Sequence, residues 1–457
     1  MRRNPQNDTI AEPASQINIC KEADVVVVGG GPAGVAAAVA AARNGASTVL
    51  VERYGHLGGL AAGGLVIVIM PMSDGTKEQQ ITGICQEIVD RLDAIGAAVH
   101  PKKKDIGSDD SNLTAYWKNY PFSVIQGKLR MSVSFDPEML KCVLNNMVEE
   151  AGVNLFLHSW GSRAIVNNRK IRGIIFESKS GRQAILSKVV IDTTGDGDIF
   201  ASAGVPFDST LDPNLRSSRM ALVFRIGNID IKKYAAFKES ELSRYTELIK
   251  ELESMGGLTM YIRTSHDDVV WVNNNIPGLN GLNVEDLTRI EVDVRKRMLI
   301  THDFLKKYVP GFEKSFIMDT ASQIGVRCSR RLIGEYVLTE KDIFSGVIHP
   351  DTIAVCPDFR FNVSAEHPHW HIPYRSLVAR DIDNLLVAGR CFSADKVAND
   401  LLSPIQFCIA MGQAAGTAAT LAIKHNKAVK DVDFRELQDC LTKQNVRLPG
   451  EMKHDNN

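Results

Sequence analysis

The sequence predicts a mixed α/β fold centred on a parallel sheet, and three stretches carry that prediction. ADVVVVGGGPAG (23–34), VVIDTTGDGD (189–198) and NLLVAG (384–389) are each a short apolar run broken by a glycine turn. Such runs suit strands buried on both faces, as a parallel sheet requires. The first is the organising one. Gly29, Gly31 and Gly34 stand in the spacing G-x-G-x-x-G, and PAGVAAAVAAARNG continues as a small-residue helix. The first glycine permits a tight turn, the second lets backbone approach a pyrophosphate, and the third lets the helix pack on the strand. Pro32 and Ala33 open the helix, where a missing N–H costs nothing. The next apolar run, 48–51, ends at Glu52, an acid placed to hold a ribose diol. Strand, glycines, helix, strand and acid in register imply a Rossmann-like, dinucleotide-binding unit.

The remaining elements follow in order. RYGHLGGLAAGGLV (53–66) is a glycine-rich loop, and its Arg53, Gly58, Gly59, Leu60 and Ala61 would continue along the same ligand. His56 at its rim is a ligand contact or covalent attachment point or, more plainly, a loop histidine. Asp136 and Pro137 open a helix with an N-cap and a first-turn proline. A β-meander of four strands is expected next, in VNLFLHSW, SRAIVNN, RKIRGIIFES and GRQAILSK (153–188). VVID then reads as a separate buried strand. Its turn, with Thr194, Gly195 and Asp196, should lie beside the first glycine turn, or else be plain acidic turn chemistry. NLLVAG meets the turn at Gly389–Arg390. Ser403, Pro404, Ile405 and Gln406 read as a capping box that opens a second small-residue helix, whose positive end could face a negative group.

At 457 residues the chain exceeds one ordinary core, so a second, α+β region is expected. The organisation read from the sequence is a polar arm (1–20), a discontinuous nucleotide-binding domain (21–70, 131–208 and 320–425), a substrate or cap region (71–130 and 209–319) and a tail (426–457). A hydrophobic fraction of 44%, a charged fraction of 23% and a net charge of −1 describe a globular chain with no general pull toward nucleic acid or anionic membrane. No apolar run spans a bilayer, and the start is not a secretory signal. The eight cysteines form no C-x-x-C pair, and five lie in apolar or helical surroundings. Reduced thiols of a cytoplasmic protein are therefore expected.

Candidates for chemistry are fewer. Tyr116, Trp117, Tyr120 and Phe122 could cap a pocket or tether their loop. Arg327, Arg330 and Arg331 could clamp a carboxylate or make structural ion pairs. His367, His369 and His371 alternate, but Pro368 interrupts them and no acid or cysteine supports a metal set. No metal is expected; His369, His371, Tyr374 and Arg327 are the candidates for acid/base help.

Taken together, GGGPAG, the LGG loop, IDTTGDGD, IPYRSL, NLLVAGRCFSAD and MGQAAGTAA resemble an FAD-dependent oxidoreductase of the glutathione-reductase-like superfamily. The resemblance implies that Gly29–Gly34 hold the FAD pyrophosphate and Glu52 the adenosine ribose. It implies that backbone near Ser162 and Arg163 meets adenine, and that Gly389, Arg390, Ala394 and Asp395 meet pyrophosphate and ribityl chain. It also implies that the helix from Pro404, with Ser403, Ile405 and Gln406, points amides at the flavin O2. The chain departs from that superfamily in three places: LGGLAAGGLV holds no cysteine pair, no second G-x-G-x-x-G is present, and Gln406 stands where similar proteins often carry arginine. The activity implied is hydride transfer between a small-molecule substrate and flavin, with an external electron donor or acceptor. The alternatives are a flavin-dependent monooxygenase or a non-redox dinucleotide-binding module. Oligomeric state is left open, with a homo-oligomer among the options.

Overall fold

The computed structural model describes residues 10, 12–359 and 369–450. The main sheet has seven strands: β1 (Asn18–Val28), β2 (Thr48–Val51), β3 (Asn154–Phe156), β4 (Trp160–Asn167), β5 (Lys170–Ser178), β6 (Gly181–Asp192) and β7 (Leu385–Val387). The parallel part runs β3-β2-β1-β6, with β7 parallel to the end of β6. β5 and β4 extend it with antiparallel pairing. Val25–Val28, Val49–Val51 and Val189–Ile191 are buried, which is why their sequence shows no alternation.

Three details differ from the sequence-based expectation. β6 is one strand where two were expected: its first half pairs with β5 and its last three residues with β7. Nothing between Ser187 and Val190 favours a turn, so the chain stays extended. The meander consequently has three strands, because β3 joins β2 instead, and His158 at φ 52° turns the chain between β3 and β4. The polar arm is also shorter, since β1 begins at Asn18 and runs beside β6.

Two helices fix the sheet to the site. α1 (Pro32–Arg43) follows the glycine turn, and α2 (Ile405–Lys424) lies against it. A Cβ on Gly412 would sit 2.1 Å from the carbonyl oxygen of Ala33, and one on Gly416 would sit 2.2 Å from that of Ala37. The small-residue stripe therefore exists to let two backbones touch. Among the described residues α2 is the single helix long and apolar enough to cross a membrane by length and composition, yet most of it is buried inside the fold.

A second, four-stranded antiparallel sheet has the order Met260–Arg263, Val270–Asn273, Phe224–Gly227, Phe316–Thr320, accompanied by the long Val284–Tyr308 helix. The aromatic insertion is tethered: Trp117 and Tyr120 are buried with Leu129, and Arg263 lies over the Tyr120 ring. All eight cysteines are unpaired, and five of them are buried.

Candidate active site

A cleft enclosing about 1150 Å³, its open mouth included, lies along the glycine turns that follow β1, β6 and β7. Gly29 adopts φ 100° and its N–H donates to Val51 at 2.7 Å. A Cβ there would meet the Thr193 carbonyl oxygen at 2.5 Å, and one on Gly34 would lie 1.7 Å from the Gly29 carbonyl oxygen. These two glycines are steric necessities of the turn itself. Gly31 is different. It caps α1 in an extended conformation, and a Cβ on it would meet nothing nearer than the Gly59 Cα at 3.9 Å. Its bare Cα faces the cleft, beside a helix start that no side chain caps. A positive helix end without a side-chain cap, beside an unfilled glycine surface, is suited to cradle an anion.

Pro32, Ala33, Glu52, Arg53, Gly59, Leu60 and Ala61 line the same cleft, as do Thr194, Gly195, Asp196, Gly389, Arg390, Ser403 and Ile405. Glu52 is also structural: its carboxylate accepts from the N–H of Gly30 at 2.6 Å and of Tyr54 at 2.8 Å. Asp192 fixes the acidic turn by accepting from the Thr194 amide and hydroxyl and from the amides of Ile199 and Phe200. Arg390 donates to Asp196 at 3.2 Å across Gly195, whose hypothetical Cβ would sit 2.6 Å from the guanidinium.

Other expected contacts fall outside the cleft. Gly34 and Gly58 pack beneath it. Ser162 and Arg163 lie one step too far along β4: a small side pocket beside Glu52 and Arg53 is lined instead by Ser159, Trp160 and Gly161. Ala394 is buried, and Asp395 caps the Lys396–Leu402 helix through the Ala398 amide. The capping box at 403–406 does not form. Ser403 ends the preceding helix and accepts from Arg216 at 3.3 Å, Pro404 takes the N-cap of α2, and buried Gln406 turns toward the Pro71 carbonyl. A proline there holds the extended conformation a cap needs, so the serine is not required.

Of the acid/base candidates, Arg327 alone lines the cleft. Tyr374 is buried and donates its hydroxyl to Val429 at 2.7 Å, while His369 pairs with Asp74 at 2.8 Å. His371 is buried on the same strand. His367 lies outside the described residues, and among those described no group of three ligating side chains could hold a metal. The arginine cluster divides: Arg330 pairs with Asp198 and Arg331 with Asp208, while Arg327 reaches the cleft. Sequence reasoning missed Tyr54, Trp160, Arg216, Gln323 and the apolar wall of Val66, Val68 and Met70. Only Tyr54, next to Arg53, carried a positional signal.

Burial holds His371 down to about 4 from its ordinary 6.5, with the nearby His369 and His349 adding to the effect. The neutral ring is the folded form. Its contribution to stability is complete above pH 6.5 and is lost as the pH falls toward 4, by on the order of 3 kcal/mol. His371→Gln should therefore flatten the acid limb of a urea-unfolding profile between those limits. An unchanged slope would assign that limb to other groups.

The parallel sheet, its glycine turns and the cleft along them define an α/β nucleotide-cofactor protein. The family model of FAD dependent oxidoreductases matches residues 24–441, and the chain belongs to that family. It is an enzyme, a flavoprotein whose cofactor is FAD. Among curated proteins no match is found. Similar solved structures include a geranylgeranyl bacteriochlorophyll reductase-like protein from Thermoplasma acidophilum (14% identity, 93% of this chain and 84% of that one, TM-score 0.49). A p-nitrophenol 4-monooxygenase from Pseudomonas putida is 13% identical over 94% of this chain and 91% of that one, with TM-score 0.48. A myxobacterial chondrochloren halogenase is 11% identical over 91% and 78%, with TM-score 0.46.

Proposed function

We propose that the protein transfers a hydride between a small organic substrate and FAD, with an external electron donor or acceptor completing the cycle. One observation carries the reading: three segments distant in sequence converge on one cleft, and Gly31 leaves a bare surface at an uncapped helix start within it. The pyrophosphate would lie on Gly29–Ala33 and Gly389–Arg390, with Glu52 beside the adenosine ribose. Trp160 and Gly161, not Ser162 and Arg163, are then the residues of β4 nearest the adenine end. Val66, Val68, Met70, Ile324 and Val326 supply an apolar wall suited to a flat ring and to excluding water. Bound FAD supplies the hydride-accepting or hydride-donating centre, and the protein supplies position and electrostatics.

The segments 71–130 and 209–319 form the substrate side in this reading. Arg216 comes from the second of them, and no residue of the first lines the cleft. An absorbance spectrum before and after acid precipitation tests the proposal. Flavin released into the supernatant, together with anaerobic bleaching by a substrate, is the expected result. A purified protein that is colourless and refuses added FAD would sink it. Substrate-stimulated NAD(P)H oxidation would move the reading to a monooxygenase.

A further inference from the structure

The part of the cleft beside the start of α2 is cationic beyond what the fold neutralises. Pairing of Met220–Ala221 with Gly325–Val326 brings Arg216 and Arg327 to the same wall. Arg216 has a partner: it donates to the Asp400 carbonyl at 2.7 Å and lies 3.8 Å from the Asp400 carboxylate. That carboxylate is already committed to the Ser217 amide at 2.6 Å. Arg327 donates to a neutral acceptor, Asn275 Oδ1, at 2.9 Å; its Nε is buried with no acceptor, and the Asp400 carboxylate acts on it only through space. No carboxylate among the described residues forms an ion pair with it.

Burying an unpaired guanidinium is costly, and folds avoid it unless something else supplies the counter-charge. The first turn of α2, with no side-chain cap, faces the same space through Pro404 and Ile405 and adds positive potential. In the proposed pose FAD's own phosphates lie elsewhere, at the glycine turn of β1 and at Gly389–Arg390. The geometry points to a substrate carboxylate as the missing partner: Arg327 clamps an organic acid, with Arg216 beside it and the apolar wall accepting the rest of the molecule. Burial, together with the neighbouring Arg216 and Arg219 and against the opposing pull of Asp400, holds Arg327 down to about 10 from 12.5, so it remains charged at neutral pH and a further anion would relieve it. Its planar fork fits a carboxylate in a way a lysine would not. Arg327 is thus a substrate-positioning residue and not a proton donor.

This inference rests on the flavoenzyme reading, and the experiment separates the two. FAD-loaded protein is titrated with benzoate and acetate, with benzamide and acetamide as neutral controls, following the flavin absorbance and the heat of binding. The expected result is saturable binding of at least one acid, no response to its amide, and about tenfold or greater weakening in Arg327→Gln with FAD content unchanged. Arg327→Lys should recover part of the loss. Equal response to acid and amide would overturn the inference, as would no response to either acid. Loss of FAD from Arg327→Gln would also overturn it, making the arginine a cofactor contact. Failure of the wild type to hold any flavin would instead remove the reading beneath it.

Discussion

Gly31→Ala is expected to fold normally and fail to hold FAD, whereas Gly34→Ala is expected not to fold. Both are single methyl additions within one motif, and the structure separates them. At Gly34 the new Cβ would overlap the Gly29 carbonyl at 1.7 Å and crowd the Thr193 hydroxyl at 2.7 Å. Those atoms join β1, β6 and α1, so neither can retreat without opening the sheet. Overpacking against backbone at such a point should cost more than about 4 kcal/mol. At Gly31 the residue is extended, not left-handed, and its Cβ would enter open space with the nearest protein atom 3.9 Å away. The methyl meets only what binds in the cleft. In the proposed pose, displacing the pyrophosphate from these amides by that much should weaken FAD by roughly a hundredfold, equivalent to about 3 kcal/mol. Thermal unfolding of the apoproteins and FAD retained after gel filtration measure the two effects. A Gly31→Ala protein that purifies fully yellow would remove the cradle from the pyrophosphate's path.

The Arg331–Asp208 ion pair should respond just as unequally. Arg331 is fully buried, with Nη2 at 2.5 Å from Asp208 and 2.8 Å from the Thr210 carbonyl, and Nη1 at 3.1 Å from the Cys328 sulfur. Asp208 is 38% exposed and also accepts from the amide and hydroxyl of Thr210. Asp208→Asn strands a guanidinium away from water and should cost about 3 kcal/mol. Arg331→Met leaves a carboxylate that water and Thr210 still solvate, and should cost about 1 kcal/mol. Urea unfolding of the two variants gives both numbers. Equal losses would mean that Arg331 draws its stabilisation from packing and not from Asp208.

Much of the cleft's glycine framework was legible in the sequence because its constraints are local. Gly29 and Gly34 are dictated by a turn that tolerates no Cβ, and Asp136 caps its helix through amides two and three residues on. Gly412 and Gly416 announce close helix packing wherever the partner is. The capping box at Ser403 was misread for the same reason in reverse. Its pattern was correct locally, but Pro404 already set the backbone, and Arg216, far away in sequence, took the hydroxyl.

The acid/base candidates show where local reasoning stops. His369, His371 and Tyr374 have the right chemistry, and alternation places the two histidines on one face of a strand. Nothing in that pattern says whether the face looks into the cleft or toward Asp74. Likewise Trp160 and Ser162 alternate along β4, and only the bend at His158 decides which end of the strand meets the pocket.

By itself the sequence determined the parallel sheet, the glycine turns along its edge and the dinucleotide class of the ligand, because backbone sterics and hydrogen bonding over a few residues suffice for each. Tertiary structure alone decided that β6 is continuous, that Arg330 and Arg331 are spent on Asp198 and Asp208, and that Arg327 is left facing the cleft. Those outcomes depend on which distant carboxylate each guanidinium finds when the sheets and helices close, a choice made by packing between elements and written in no single stretch of the chain.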